Sequence, residues 1–199
     1  MICDNCPYPY KKTQNCKYNI EFKQFDHTEI SSDLLEAILE FYNNDFDLLN
    51  RKANEVCITS HIFHYFSSKF KDKYYEYDID PEYNRNGEYA KYYCEDGYAK
   101  PDLIIHKRNC NKHNLVYIEF KKHRDLYDEK DLNKIIKFVS NEIPFENGKR
   151  LKPYRYKYGV SILLNSRDIK MLWYKNGETE PFENIVFDVK EKGGKYEIC

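Results

Sequence analysis

The chain has 199 residues, and its 32 Lys and Arg against 33 Asp and Glu give a formal net charge of -1, a size that suits one compact domain. Hydrophobic residues make up 41% of the chain and aromatic residues 17%, which is too much apolar surface for a disordered protein. No apolar run approaches the roughly 18 to 20 residues of a membrane span, and residues 1–23 lack the apolar core of a secretory signal. We therefore expect a cytoplasmic protein without a membrane partner.

The N-terminal segment differs from the rest of the chain in its cysteines and irregular pattern. Cys3, Cys6 and Cys16 include a Cys-x2-Cys motif without a second pair; His27 could supply a fourth ligand, but a structural Zn²⁺ site is not expected. The seven cysteines are an odd number and are scattered, which favours reduced thiols over disulfides. We predict an extension or subelement over residues 1–30, one domain over residues 31–192 and a C-terminal tail over residues 193–199.

Helical periodicity comes first along the chain. A helix is predicted after the cap candidates Ser31, Ser32 and Asp33, with an apolar stripe that continues to Tyr42. A second helix is predicted from about Lys52 to Phe70.

From Tyr74 onwards the hydrophobic period changes to two, which predicts strands. Three are expected, at Tyr75–Ile79, Asp102–His106 and Leu115–Lys121. The turn-rich residues 109–114 indicate a hairpin between the last two.

A third helix is predicted from about Asp128 to Asn141, followed by strands at Tyr158–Leu164 and Ile169–Tyr174. The predicted order is α, α, β, β, β, α, β, β. This order indicates an α/β sandwich with a mixed central sheet flanked by helices.

One strand carries residues that could perform chemistry. Glu119 and Lys121 are two residues apart and therefore share one face of the strand, while the apolar residues Val116, Ile118 and Phe120 share the other. Pairing through the predicted hairpin would bring Asp102 near Glu119. Two such carboxylates suit a hard divalent cation such as Mg²⁺, and Lys121 could orient or deprotonate a water or stabilise charge on a phosphoryl group.

An acid two residues before a lysine occurs five times in the chain, so this triplet alone usually indicates a solvated ion pair. The Glu119 case differs because it combines a strand pattern, an upstream strand that opens with Pro101-Asp102, and a following amphipathic helix. These residues resemble the signature of the PD-(D/E)XK nuclease superfamily, which has the restriction-endonuclease-like fold. The resemblance covers roughly residues 50–175.

The resemblance implies a site. Asp102, Glu119 and the backbone carbonyl of Phe120 would hold Mg²⁺, for which Mn²⁺ could substitute, and Lys121 would assist the water. Many members add a glutamate from the preceding helix, and Glu55 is the match here, although an acid in a first helical turn is also favoured by the helix dipole. Glu82, in a polar segment after the first strand, is the alternative acid.

Several basic residues could contact phosphates. We predict nucleic-acid contacts for Lys107, Arg108, Lys122, Lys134, Arg150, Lys152 and Arg155. A solvated role is the alternative for Lys134 and for the loop at residues 149–157.

The prediction is therefore a Mg²⁺-dependent nuclease that hydrolyses DNA, with RNA as the alternative substrate, by metal-activated water in defence or DNA processing. The alternative is a non-catalytic nucleic-acid-binding or structural module on the same scaffold. The sequence leaves open whether the chain forms a homodimer.

Overall fold

The computed structural model describes residues 22–86, 89–94, 97–108, 110–122, 129–141, 145–146, 149–150 and 154–198. Its helices are α1 (His27–Asn50), α2 (Glu55–Phe70) and α3 (Glu129–Val139). The strands of the main sheet are β1 (Asp78–Pro81), β2 (Leu103–His106), β3 (Val116–Lys122), β4 (Tyr158–Leu164), β5 (Asp168–Tyr174), β6 (Glu183–Lys192) and β7 (Lys195–Ile198). Short strands pair as Arg85–Asn86 with Tyr89–Ala90, Tyr92–Cys94 with Gly97–Tyr98, and Phe145–Glu146 with Lys149–Arg150, and Asn111–His113 forms a 3-10 turn.

The seven main strands lie side by side in chain order. Every neighbouring pair is antiparallel except β3 and β4, which are parallel because the chain crosses over through α3 between them. The α/β class with a mixed sheet and flanking helices is therefore confirmed. The predicted hairpin between β2 and β3 is present, with Leu103 opposite Ile118.

Each face of the sheet packs against its own helices. The helices α1 and α2 cover the face that carries Val116, Ile118 and Phe120. The helix α3 packs on the opposite face through Ile135, Phe138 and Val139. Because side chains alternate along a strand, Glu119 and Lys121 must point toward α3.

The first helix begins earlier than predicted. Asp26 is its N-cap, since the Asp26 carboxylate accepts a 2.8 Å hydrogen bond from the backbone N–H of Glu29. The helix therefore starts at His27, within the segment predicted as an extension, and Phe22 and Phe25 also belong to the core.

Asp33 is not a cap but a buried residue inside α1, which corrects the prediction. Its carboxylate accepts hydrogen bonds from Tyr74 Oη at 2.7 Å and Lys73 Nζ at 2.5 Å. These partners lie just after α2, so Asp33 ties the two helices together.

The remaining corrections concern strand positions. The first strand is Asp78–Pro81 rather than Tyr75–Ile79, because residues 71–76 form turns after α2. The predicted C-terminal tail contains β7, which pairs with β6. Within the part of the chain that the structure describes, no helix has the length and apolar character needed to cross a membrane.

Candidate active site

Two carboxylates lie next to each other on the face of the sheet that α3 covers. Asp102 immediately precedes β2, and Glu119 is in β3. Since Leu103 pairs with Ile118, the antiparallel register continues to place Asp102 beside Glu119. The strand pairing therefore places these two acids side by side, as the hairpin prediction requires.

Asp102 is anchored by the backbone of β3. Its Oδ2 atom accepts a 2.7 Å hydrogen bond from the Phe120 N–H. Burial raises the pKa of Asp102 to about 6, and the negative charge of Glu55 adds to this rise against the hydrogen bond from Phe120. The Asp102 carboxyl group can therefore hold a proton near neutral pH and release it when a metal cation binds.

Glu119 is almost fully buried, with 2% of its surface exposed. Its Oε1 atom accepts a hydrogen bond from the Tyr117 hydroxyl and lies 3.6 Å from Lys134 Nζ. Burial and then the charge of Asp102 raise the pKa of Glu119 well above its usual range, despite the nearby Lys134 ammonium. The Lys134 ammonium therefore does not fully balance the negative charges of Asp102 and Glu119.

Lys121 lies between two acids. Its Nζ atom forms an ion pair with Asp131 Oδ2 and lies 3.3 Å from Glu55 Oε1. Burial alone would lower the pKa of Lys121, but the hydrogen bond and charge of Asp131, with the charge of Glu55, raise it above its usual range. Lys121 is therefore an ammonium group at neutral pH, which suits charge stabilisation rather than proton abstraction.

Asp131 is a site residue that the sequence prediction missed. Its carboxylate bridges two ammonium groups, through Oδ2 to Lys121 and through Oδ1 to Lys134 at 2.6 Å. Burial acts to raise the pKa of Asp131, but hydrogen bonds from both lysines lower it overall. The available signal was its position four residues before Ile135, on the buried face of α3.

These groups form a cluster of alternating charge, which we call the carboxylate cluster. Its members are Glu55, Asp102, Glu119, Lys121, Asp131 and Lys134. Four carboxylates against two ammonium groups give a net charge of -2 when all are ionised. This charge is the complement of one divalent cation.

The oxygen atoms of the two central acids suit such a cation. Within the described residues, Asp102 Oδ1 and Glu119 Oε2 accept no hydrogen bond from the protein. Carboxylate oxygens are the ligands that Mg²⁺ prefers, usually with water completing its coordination. The described residues contain no group of three His, Cys, Asp or Glu side chains arranged to hold a metal, so water or substrate would have to complete the shell.

No protein-family model matches this chain. Neither a curated protein nor a solved structure matches it either. The chemistry of the carboxylate cluster therefore has to be argued from its own geometry.

Glu55, rather than Glu82, is the acid that reaches the cluster. Glu55 is the first residue of α2, where Asn54 caps the helix, and 34% of its side chain is exposed. Glu82 instead pairs with Lys100 at 2.6 Å. The helix start thus gives Glu55 both a favourable place in the first turn and a contact with Lys121.

The basic residues that were predicted to contact phosphates lie in different surroundings. Lys134 is only 14% exposed and belongs to the carboxylate cluster, so it is not a solvated lysine. Lys122 Nζ donates to the Ala53 carbonyl. Lys107 lies 3.4 Å from Asp78, while Arg108 binds Asp80 and keeps half of its side chain exposed.

The other predicted contacts lie in or near the loop before β4. Arg155 is exposed and has a positive φ of 54°. The side chain of Arg150, and all of Lys152, lie outside the described residues, as do Cys3, Cys6 and Cys16.

Proposed function

We propose that this chain is a Mg²⁺-dependent nuclease of the PD-(D/E)XK type, with the restriction-endonuclease-like fold, that hydrolyses phosphodiester bonds in DNA. RNA is the alternative substrate. The observation that carries the proposal is the pair of buried, adjacent acids Asp102 and Glu119 within a cluster whose net charge is -2 when all of its groups are ionised. Buried like charges in such an arrangement need a cation or protons.

The arrangement of the chain around the site supports the same reading. Asp102 precedes the second of three antiparallel strands, and Glu119 and Lys121 are in the third. The helix α3 then leads to the parallel strand β4. This order is the one that the resemblance to the superfamily implies for residues 50–175.

The proposed roles follow from the contacts. Asp102 and Glu119 would hold Mg²⁺ through their unpaired oxygens, with the Phe120 backbone carbonyl as a further ligand. When bound, Mg²⁺ supplies Lewis acidity at a phosphoryl oxygen and activates a water molecule. Lys121 presents a fixed ammonium group next to the place where negative charge develops on the phosphate.

Nucleic acid would approach the carboxylate cluster from the side at which Lys121 and Glu55 remain partly exposed, since α3 covers the rest of this face. Arg108 and Arg155 offer exposed cations, and exposed guanidinium groups bind phosphate well. These exposed cations are few, and the chain is nearly neutral. A steep fall of nucleic-acid affinity with salt would therefore require phosphate contacts from further basic residues. The setting that we propose is the cytoplasm, in defence or DNA processing.

A non-catalytic module on the same scaffold is the second candidate. One observation favours it: Lys134 and Lys121 already neutralise half of the acidic charge of the carboxylate cluster. In that case nucleic acid would bind without being cut.

The decisive experiment is metal-dependent cleavage. Wild-type protein should nick plasmid DNA or cut single-stranded DNA or RNA with Mg²⁺ or Mn²⁺, and calorimetry should detect the metal in the absence of nucleic acid. Asp102→Asn keeps an acceptor for the Phe120 N–H but removes a ligand charge, so metal binding and cleavage should both be lost. Lys121→Ala should retain metal binding and slow cleavage by about 10² to 10³, the usual effect of losing one stabilising donor.

Glu82→Gln is the matched control, because it removes an acid that pairs with Lys100 outside the carboxylate cluster. It should cleave and bind metal like the wild type. Nucleic-acid binding without any cleavage above that of Asp102→Asn would instead support the non-catalytic module.

A further inference from the structure

Lys91 is a buried cation at the far end of the same sheet face. It lies between the short strands Tyr89–Ala90 and Tyr92–Cys94, and only 2% of its surface is exposed. Its Nζ atom donates one hydrogen bond, at 3.1 Å to the carbonyl of Tyr83. Among the described residues it has no carboxylate partner within ion-pair distance.

Tyr156 adds an unpaired polar atom at the same place. Lys91 Nζ lies 5.8 Å from the centre of the Tyr156 ring. The hydroxyl of Tyr156 is buried and has no hydrogen-bond partner within the described part of the chain. Lys91 Nζ also lies 4.7 Å from the centre of the Tyr83 ring. Buried polar groups are nearly always satisfied, so an unpaired phenol beside an amine with a single hydrogen bond points to an absent ligand.

The nearby acids are already engaged. Asp80 accepts hydrogen bonds from His106 Nε2 at 2.9 Å and from Arg108 Nε at 2.7 Å. Asp78 pairs with Lys107 at 3.4 Å. Each acid therefore has its own basic partner, and the positive charge of protonated Lys91 is in excess of the acidic charge nearby.

The protonation of Lys91 is consistent with this surplus. Burial lowers the pKa of Lys91 to about 7, although the charge of Asp80 opposes the shift. Burial likewise lowers the pKa of His106, despite its hydrogen bond to Asp80, so His106 adds no stable positive charge at neutral pH. An anion beside Lys91 would favour its ammonium form.

We propose that Lys91 and Tyr156 bind a phosphate group, with Arg108 at the outer side of the site. Protonated Lys91 has two N–H groups beyond the one used by Tyr83, and Tyr156 has an unused O–H, so both residues have donors left for an oxyanion. The Arg108 guanidinium lies 5.9 Å from the Tyr83 ring, pairs with Asp80 and is half exposed, so it places a cation between this site and solvent.

The phosphate could come from inorganic phosphate or from a nucleic-acid backbone. Asp80 and His106 mark this site on the sheet, and His106 is four residues from Asp102 along β2, or about 13 Å. The phosphate site therefore lies on the face of the carboxylate cluster but is separate from it. It does not require the proposed nuclease activity.

The test is anion binding measured without Mg²⁺, so that it is independent of the nuclease proposal. Sulfate is the first probe because its charge is constant between pH 6 and 9. Calorimetry should show one saturable site whose affinity falls about tenfold between pH 8 and pH 9, because the binding-competent ammonium fraction falls by that factor above a pKa near 7. An affinity that does not change over this range would overturn the proposal.

Variants locate the site. Lys91→Met should abolish sulfate binding, and the nearly isosteric Tyr156→Phe should weaken it about tenfold through the loss of one hydrogen bond to a charged ligand. Lys100→Met removes an exposed lysine close in the chain and should bind like wild type. Binding that survives in both Lys91→Met and Tyr156→Phe would place the anion elsewhere and refute the site.

Two further measurements complete the design. Circular dichroism checks that each variant is folded, and Tyr156→Phe keeps the proposal testable if Lys91→Met is not. Competition by a thymidine dinucleotide would identify a backbone phosphodiester as the source, whereas competition by inorganic phosphate alone would identify the free anion. If wild type binds none of these probes, Lys91 is only a desolvated lysine and the proposal fails.

Discussion

Lys121 and Asp131 form an ion pair that joins β3 to α3 at the middle of the carboxylate cluster. The same Lys121 ammonium lies 3.3 Å from Glu55 on α2, so three elements fix its position. Asp131 also holds Lys134, which would otherwise have Glu119 as its nearest acid. Asp131 therefore shares the charge of both lysines with the neighbouring acids, including Glu119, which is 3.6 Å from Lys134.

Asp131→Asn should weaken Mg²⁺ binding although Asp131 is not a proposed ligand. Without its charge, Lys121 and Lys134 would pair more closely with Glu55 and Glu119, and the net charge of the cluster would fall to -1. We expect the affinity for Mg²⁺ to drop about tenfold, which corresponds to about 1.4 kcal/mol. Isothermal titration calorimetry at neutral pH measures this change.

Glu129→Gln is the matched control for that experiment. Glu129 is exposed on the same helix, and its loss changes the charge of the chain by the same amount. Its effect on Mg²⁺ binding should be small because solvent screens exposed charges. Equal affinities of wild type and Asp131→Asn would show that Asp131 contributes packing and ion pairing alone.

Metal binding should depend strongly on pH. Burial and the charge of Glu55 raise the pKa of Asp102 to about 6, and burial with the charge of Asp102 raises the pKa of Glu119 well above its usual range. A proton therefore occupies Asp102 as pH falls through about 6, Glu119 also holds a proton at a higher pH than an ordinary glutamate, and Mg²⁺ has to displace these protons. We expect at least about a tenfold loss of affinity between pH 7.5 and pH 5.

Asp102→Asn provides the comparison, because any residual affinity in this variant should vary less with pH than that of the wild type. A wild-type affinity that is constant from pH 7.5 to 5 would contradict the shifted protonation of the pair. The experiment needs buffers that do not bind metal, and the same calorimetric readout serves both proteins.

Local patterns were sufficient to predict much of the site. Alternation along β3 places Glu119 and Lys121 on one face, and the turn-rich segment before it predicts the hairpin that brings Asp102 alongside. Asp131 could not be predicted in this way. Its contact with Lys121 depends on how α3 docks over β3 and β4, which is a tertiary relationship without a short-range signal.

Helix and strand limits were less predictable for different reasons. Asp26 and Glu29 form an N-terminal capping pattern, but Ser31 and Asp33 offered equally suitable cap residues in the sequence. The β7 strand is short, and its pairing with β6 provides backbone hydrogen bonds that composition does not reveal.

The Asp80 ion cluster should contribute stability that is lost in acid. Burial would raise the pKa of Asp80, but hydrogen bonds from His106 and Arg108 lower it to about 2. Because the folded pKa is below the ordinary value of 3.8, this contribution is present above about pH 4 and disappears as pH falls toward 2. Asp80→Asn should cost about 2 kcal/mol of unfolding free energy at pH 7.

Urea denaturation of wild type and Asp80→Asn at pH 7, 5, 4 and 3 tests this expectation. The difference between the two proteins should be constant from pH 7 to 5 and shrink below pH 4. Asp72→Asn, which changes an exposed acid in the turn after α2, should show little effect at any of these values. A difference that persists undiminished at pH 3 would mean that packing, and not the charge of Asp80, causes the loss.

Gly159 sets the distance between β4 and α3, and its substitution should disturb both stability and the site. A Cβ atom at residue 159 would lie 2.5 Å from Ile135 Cγ2 and 3.0 Å from Val139 Cγ1. Gly159→Ala should therefore push α3 outward and cost about 1 to 3 kcal/mol of unfolding free energy, as overpacking in a core usually does. Since α3 carries Asp131, the affinity for Mg²⁺ should fall as well.

A double-mutant cycle with Ile135→Ala gives the control: removing Cγ2 should make the added cost of Gly159→Ala smaller than in the wild-type background. Strict additivity of the two changes in urea denaturation would show that the close approach of Gly159 to Ile135 does not set the position of α3.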